Sequence, residues 1–337
     1  MAIPSTPLRP FVVTFIFLFL SLFVSSICDP KDKKILLQIQ ESLGNPDKLV
    51  SAWELNTDCC NGWGVECNSD GHVRYFYASF SNNPFKIPSS IGDLDYLETM
   101  IFSDLPNLTG TIPQTITKLK YLQSIRISNT RLSGHVPECL GQIQSLQSID
   151  LEANNLSGSI PLSLGKLQYL STLNLYGNHL HGPIPDIFSS LNHSFNVQNP
   201  LTIVLNNNEL SGKLPRSMGN VSIQWIDVSG NQLTGDASFL FGQEKKSLWY
   251  VRLSNNQFSF DFSNITIPSI MEDLVISQNM IYGSIPASLG YVSWDEFNVS
   301  WNQLCGPIPQ SLNSQLYDLT EFFHNKCLCG FPLSPCQ

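Results

Sequence analysis

Residues 146–162 read LQSIDLEANNLSGSIPL. Ile149 and Leu151 flank Asp150, and alternate residues of an extended chain point to opposite faces. Ile149 and Leu151 are therefore expected inward and Asp150 outward. Asn154 follows three places after Leu151, and Gly158-Ser159-Ile160-Pro161 closes the stretch. Close copies of its end recur as NLTGTIP from 107, RLSGHVP from 131, HLHGPIP from 179, ELSGKLP from 209, MIYGSIP from 280 and QLCGPIP from 303. The Asn recurs at 178, 208, 231, 256, 279 and 302. A side-chain amide both donates and accepts, so stacked Asn residues can satisfy the backbone of successive turns. Gly permits a tight bend, and Pro fixes its own φ and blocks a helix. The phrase is thus expected to turn each coil from its strand side to its far side. One such unit cannot bury its apolar face alone, so the units must stack around a shared core.

The period is about 24 residues. Weaker copies stand in HVRYFYASF (72–80), LETMIFSDL (97–105) and LQSIRISNTRL (122–132), which brings the total to ten. A chain of 337 residues would ordinarily suggest two domains, but a solenoid grows by adding units. This is the leucine-rich repeat, and its LSGxIP form resembles the plant extracellular subtype. The resemblance implies an α/β solenoid: a right-handed superhelix with a concave parallel β-sheet. The divisions read from the sequence are a signal peptide at 1–27, an N-terminal cysteine-rich cap at 28–71, repeats at 72–309 and a C-terminal cysteine-rich cap at 310–337.

Arg9 is the only charge before Asp29, and FVVTFIFLFLSLFV (11–24) followed by Ser25 and Ser26 has the layout of a secretory leader. The run is short for a bilayer span, and no later segment is long and apolar enough for one. The mature chain is expected to be soluble, extracellular and monomeric. Its net charge, −9 for the full chain and −10 without Arg9, disfavours nucleic acid and anionic membranes and favours a cationic partner. The nine cysteines fall into two terminal groups of four with Cys139 alone between them. In a secreted chain this pattern points to stapled caps and one odd thiol. Cys327, Cys329 and Cys336 could hold a metal, but no His is interleaved with them and secretion favours oxidation, so no metal or other cofactor is expected.

The two ends sharpen the resemblance. CDPKDKKILLQIQESLGNP (28–46), Trp53, the Cys59-Cys60 pair, NGWGVEC (61–67), GDASFLFG (235–242), FNVSWNQLCGPIP (297–309) and HNKCLCGFPLSPC (324–336) look like the polygalacturonase-inhibiting proteins of plant cell walls. This resemblance implies the bridges Cys28–Cys59, Cys60–Cys67, Cys305–Cys327 and Cys329–Cys336. It also implies a fungal endopolygalacturonase as protein partner, in plant defence at the cell wall. Asp150 matches an acidic position common in the family. Tyr176 stands where another acid is frequent, Trp249 stands where a smaller polar residue is usual, and the sixth unit is lengthened through SSLNHSFNVQNP (189–200).

Only the outward strand positions are left free by the repeat. They include Asp150, Glu152, Asn174, Tyr176, Leu201, Val204, Asn206, Trp225, Asp227, Trp249, Tyr250, Arg252, Glu272, Asp273, Glu296 and Trp301. Acids outnumber Arg126 and Arg252, and the aromatics stand where the repeat requires none, a composition typical of binding hot spots. Of these, Asp150, Glu152, Asn174, Tyr176, Val204, Asn206, Trp225, Asp227, Trp249, Arg252, Glu272 and Asp273 are the candidate contacts. The paired carboxylates Glu272–Asp273 and Asp295–Glu296 are read as an acidic rim. The histidines at 72, 135, 179, 181, 193 and 324 form no nucleophile or metal motif, so the chain is not expected to be an enzyme. Sequons stand at Asn107, Asn155, Asn192, Asn220, Asn264 and Asn298, the last on an outward strand position. The expected function is inhibition of endopolygalacturonase by docking the concave face on the enzyme's cleft, with cell-wall components as further contacts. A signalling or adhesion module for a peptide or receptor ectodomain is the alternative. An ice-binding protein would need flat rows of small polar residues, against which the mixed, aromatic positions count.

Overall fold

The structure is a computed structural model that describes residues 27–42, 58–79, 83–191, 200–312 and 318–337. The leader, Trp53, Asn192 and most of the lengthening segment 189–200 lie outside these residues.

Ten parallel strands form one face: Val73–Ser79, Thr99–Gly110, Ser124–His135, Ser148–Asp150, Thr172–Asn174, Leu201–Val204, Ile223–Asp227, Tyr250–Arg252, Asp273–Val275 and Glu296–Asn298. Each pairs in register with the strand of the next unit, so Ile149 lies beside Ile125 and Leu173. Ile125, Ile149 and Leu151 are fully buried, as are their counterparts along the array. This is a leucine-rich repeat solenoid. Among the described residues the only α-helix is Pro30–Ser42, in the N-terminal cap. The far side of the coil is made of short 3₁₀ turns such as Gln114–Lys118, Glu138–Gln142 and Leu162–Lys166, each begun by a Pro. The α/β solenoid thus carries 3₁₀ turns on its far side in place of longer helices. Three to five residues per turn leave no room for a longer helix.

The Gly-containing phrase does more than bend. It forms a second parallel sheet along one flank, through the ends of Thr99–Gly110 and Ser124–His135 and then Asn155–Gly158, His179–Pro183, Glu209–Lys213, Gln232–Gly235 and Gln257–Phe258. Tyr282–Gly283, Gln303–Pro307 and Cys327–Cys329 form a separate sheet that takes it into the C-terminal cap. The phrase's glycines bend at φ between +78° and +97°, a region open to glycine at no steric cost.

The asparagines stack as expected. Asn178 Oδ1 accepts from Leu156 N at 3.0 Å, and its Nδ2 donates to the Leu151 and Leu175 carbonyls at 3.0 and 3.1 Å. Each rung thus ties its own coil to the preceding one. Two rungs escape the sequence pattern. Thr130 supplies a hydroxyl that accepts from Leu132 N at 3.1 Å and donates to Asn154 Oδ1. Asn325, in the cap, accepts from Leu304 N at 3.1 Å. The residue before each rung is left-handed: Asn129, Ala153, Asn207, Asn255, Gln278, Trp301 and His324 have φ between +50° and +57°, and Gly177 and Gly230 have +63°. This position is where Trp301 sits, so its ring is displayed by a turn and not by strand alternation. The residue is 53 % exposed, and its ring stacks on that of His324 at 3.7 Å between centroids.

Both ends are covered. Cys28–Cys59 and Cys60–Cys67 lie within the N-terminal cap, while Cys305–Cys327 and Cys329–Cys336 staple the other end, and Cys139 is free. In the N-terminal cap the buried Asp32 carboxylate accepts from Val73 N at 2.9 Å, docking the helix on the first repeat strand. In the C-terminal cap, Phe322 is fully buried against Phe297. Beside it Glu321 is half-buried, and its Oε2 has no hydrogen-bond partner among the described residues. Desolvation pushes its pKa up to about 6. A carboxyl whose folded pKa is raised favours the fold fully below its unfolded pKa and loses that contribution as pH rises through the folded value. Glu321→Gln should therefore raise the melting temperature at about pH 8 and leave it nearly unchanged at about pH 4. Thermal melts at the two pH values check this, and an equal shift at both would show that the carboxylate charge is not the cause.

Candidate partner-binding face

The strand register sets the outward residues in two rows. One runs Tyr75, Thr99, Ser124, Ser148, Thr172, Thr202, Trp225, Tyr250, Asp273 and Glu296. Beside it run Tyr77, Ile101, Arg126, Asp150, Asn174, Val204, Asp227, Arg252, Val275 and Asn298. Neighbours in a row are about 4.8 Å apart, close enough for side chains to bond across strands.

Two networks result. In the first, Arg126 lies 3.2 Å from the Asp150 carboxylate and 3.3 Å from that of Glu152. Asn174 Nδ2 donates to Glu152 Oε2 at 2.8 Å, and Asn174 Oδ1 accepts from Tyr176 N at 3.1 Å. Tyr176 is left 36 % exposed at the edge of this group. In the second, Trp225 packs on Tyr250 at 4.7 Å, and the Tyr250 hydroxyl donates to Glu272 Oε2 at 2.8 Å. Arg252 bridges Asp273 and Glu296, each at 2.5 Å. Asp227 accepts from Ser229 N and Oγ at 2.9 and 2.6 Å. Thr202 and Val204 separate the two networks.

Four placements differ from the sequence expectation, one of them Asp227, which has outward parity but is buried with its carboxylate held by Ser229. Leu201 is buried rather than outward, because it closes the core as the strand begins. Asp273 points outward but is covered by Arg252, leaving its side chain 3 % exposed, so it is not part of an open rim. Trp249 precedes the strand Tyr250–Arg252, and its 37 % exposure comes from the lead-in to that strand. Burial pushes the Asp150, Asp227 and Asp273 carboxyls up from their ordinary value, and it is only partly opposed, by hydrogen bonds from Glu152 N, Ser229 and Arg252 respectively and by the charges of Arg126 and Arg252. Among the described residues Trp225 Nε1, Asn206 Oδ1 and Asp273 Oδ1 are buried without hydrogen-bond partners. These are polar groups of the kind that a docking protein or ordered water satisfies. No periodic pattern announces them, since burial here depends on the neighbouring strand's side chain. Of the sequons, Asn155, Asn220 and Asn264 are exposed and Asn107 is half-buried. Asn298 is half-buried on the strand face, its Oδ1 accepting from Ser300 N and Oγ at 3.0 and 2.7 Å.

A leucine rich repeat N-terminal domain model matches residues 29–68, and a Leucine Rich Repeat model matches 145–167 and 169–191. Polygalacturonase inhibitor 1 of Arabidopsis thaliana is 49 % identical over 96 % of this chain and 97 % of its own length. The chain belongs to the polygalacturonase-inhibitor family. The leucine-rich repeat protein FLOR 1 of Arabidopsis thaliana is 47 % identical over 96 % of this chain and 98 % of its own. A solved plant ice-binding protein superposes with a TM-score of 0.86 at 40 % identity, over 92 % of this chain and 98 % of its own. Among the described residues no helix is long and apolar enough to cross a membrane.

Proposed function

We propose that this protein is a secreted inhibitor of fungal endopolygalacturonase that docks its strand face over the enzyme's substrate cleft. The observation that carries the reading is the outward pair of rows, which present Trp225, Tyr250, Asp150 and Glu296 and are flanked by Trp249, Glu152 and Glu272. Relatives named polygalacturonase inhibitors, matched over 92–96 % of this chain, support it. An enzyme that holds an anionic polymer needs basic groups in its cleft, and acidic side chains presented on a rigid sheet pair with such groups. That pairing mainly speeds and orients encounter, while a desolvated aromatic slows dissociation. Inhibition is then steric, through narrowing or filling of the cleft. Terminal disulfides fit an oxidising extracellular compartment.

Trp249→Ala should weaken binding about tenfold through faster dissociation, and Asp150→Lys should slow association more at low than at moderate salt. Surface plasmon resonance against a panel of fungal endopolygalacturonases, with a reducing-sugar assay and thermal melts as control, reads both. Wild-type protein that binds none of the panel would sink the inhibitor reading.

A second reading has a specific observation behind it. Five consecutive units of one row carry small hydroxyls, Thr99, Ser124, Ser148, Thr172 and Thr202, at the spacing of a flat sheet, and a solved ice-binding protein shares the fold. Against it, the adjoining row carries Arg126 and Asp150, and the later units are aromatic. Thermal hysteresis and recrystallisation assays separate the readings. Activity abolished by Thr172→Lys, with no enzyme in the panel bound, would favour ice.

A further inference from the structure

Regular 3₁₀ turns on the far side of the coil stack in close contact. A Cβ placed on Gly92 or Gly141 would lie 2.2 Å from the carbonyl oxygen of Thr115 or Ser163 in the next turn. The stack loosens where the sequence phrase breaks. QLTGDAS (232–238) has lost the Pro, and QFSFDFS (257–263) has lost the Gly. The turn of the first of these units is cut to Ser238–Leu240, and the second forms no 3₁₀ turn between it and Ala287–Tyr291. A Cβ on Gly219, facing the shortened turn, would lie 3.0 Å from the Phe239 carbonyl oxygen, a looser fit than at Gly92.

Two adjoining cavities occupy this gap. One, of about 270 Å³, has walls from Met218, Val221, Ile223, Leu240 and Leu248. Its buried hydroxyls, Ser222 and Ser247, are hydrogen-bonded to each other and leave the wall effectively apolar. The second, of about 600 Å³, is lined by Ile267, Pro268, Ile270, Tyr291 and Val292. Lys246 borders both. Lys245 Nζ is held by the Gly219 carbonyl, whereas exposed Lys246 forms no ion pair among the described residues. Among the described lining residues the one acid, Glu244, lies over Gly242, where an added Cβ would be 2.2 Å from its Oε1. An apolar chamber with a positive mouth, in a chain of net charge −9, is complementary to an apolar body with one anionic end. A cation would meet Lys245 and Lys246. A phosphate, with more charge and more oxygens to satisfy than a carboxylate, would find only the ammonium of Lys246 not already held by a carbonyl, and no arginine, among the lining residues. A neutral hydrocarbon would leave the lysines unused.

We propose that this gap binds a small amphipathic carboxylate, its apolar tail within the walls of Leu240 and Leu248 and its carboxylate on Lys246. The site lies behind the lead-in to the strands and does not depend on the inhibitor reading. Isothermal titration and thermal melts of the full chain with decanoate test it, with decanol and decylammonium as controls. Decanoate should bind one per chain and raise the melting temperature, and decylammonium should do neither. Lys246→Glu, an exposed change, should weaken decanoate about tenfold and leave decanol unaffected. No decanoate binding, equal binding of decylammonium, or indifference to Lys246→Glu each overturns the proposal.

Discussion

Arg252→Met should cost about 3 kcal/mol of stability at neutral pH, the low end of the range for removing one partner of a buried pair. The deficit should shrink as pH falls. Asp273 is the reason. Its side chain is 3 % exposed, its Oδ2 accepts from Arg252 Nε at 3.1 Å and from a second guanidinium nitrogen at 2.5 Å, and its Oδ1 has no hydrogen-bond partner among the described residues. Burial already raises this carboxyl's pKa, and the Arg252 hydrogen bonds and charge pull it back. Without them it rises further. A raised carboxyl favours the fold below its unfolded pKa, about 3.9 for Asp, and loses that contribution as pH climbs through the folded value. The gap between wild type and variant should therefore be widest near pH 8 and narrowest near pH 4. Denaturant titrations across that range read it. Adding Asp273→Asn to Arg252→Met should recover much of the loss, because the uncompensated charge is gone. A deficit that is constant with pH and not rescued would show that the arginine stem, and not the carboxylate, sets the cost.

Asn208→Ala should cost about 2 kcal/mol, the middle of the range for an orphaned buried group. The side chain accepts from Leu180 N at 3.0 Å and donates to the carbonyls of Leu175, Leu205 and Asn206 at 2.9, 3.1 and 3.3 Å. Alanine would take the Asn208 acceptor from the buried Leu180 amide and remove one donor each from the Leu175, Leu205 and Asn206 carbonyls, which keep Asn178 Nδ2, Asn231 Nδ2 and Gly177 N. The neighbouring Asn207 makes the control, but not as alanine. Its φ of +53° is costly for any residue with a Cβ, and Asn tolerates it better than most. Asn207→Gly should be neutral or slightly stabilising, and Asn207→Ala should cost about 1 kcal/mol. Chemical denaturation of the three variants gives the order. Equal losses at Asn208→Ala and Asn207→Gly would contradict the rung.

The repeat, the rungs and the outward rows were legible because each depends on spacing along one coil. Ile149, Asp150 and Leu151 show their faces by alternation, and Asn178 or Asn302 by its distance from the last buried aliphatic. What escaped depends on the coil next door. Thr130 fills a rung through a hydroxyl, and Asn325 sits in a cap with no repeat consensus around it. Asp273 has the outward parity of an exposed residue and is buried only because Arg252, one unit away, lies across it. The flank sheet was hidden because Leu-Ser-Gly has no strand-like alternation. Its pairing comes from stacking the same phrase on itself. The loss of Pro and Gly in two units was visible, but that an opening follows required seeing how closely the other turns pack.

The two ends of the array are fastened differently. Both bridges of the first cap join residues of that cap, whereas Cys305–Cys327 closes 22 residues and ties the strand Gln303–Pro307 of the last repeat to Cys327–Cys329 beyond it. A stack in which each coil touches only its neighbours unravels from an end, one coil at a time. At the far end that route is closed, since the outermost coil is a covalent ring that must let go together with the coil beneath it. Fraying is thereby directed to the other terminus, and a reductant reaching Cys305–Cys327 would give the molecule a second loose end.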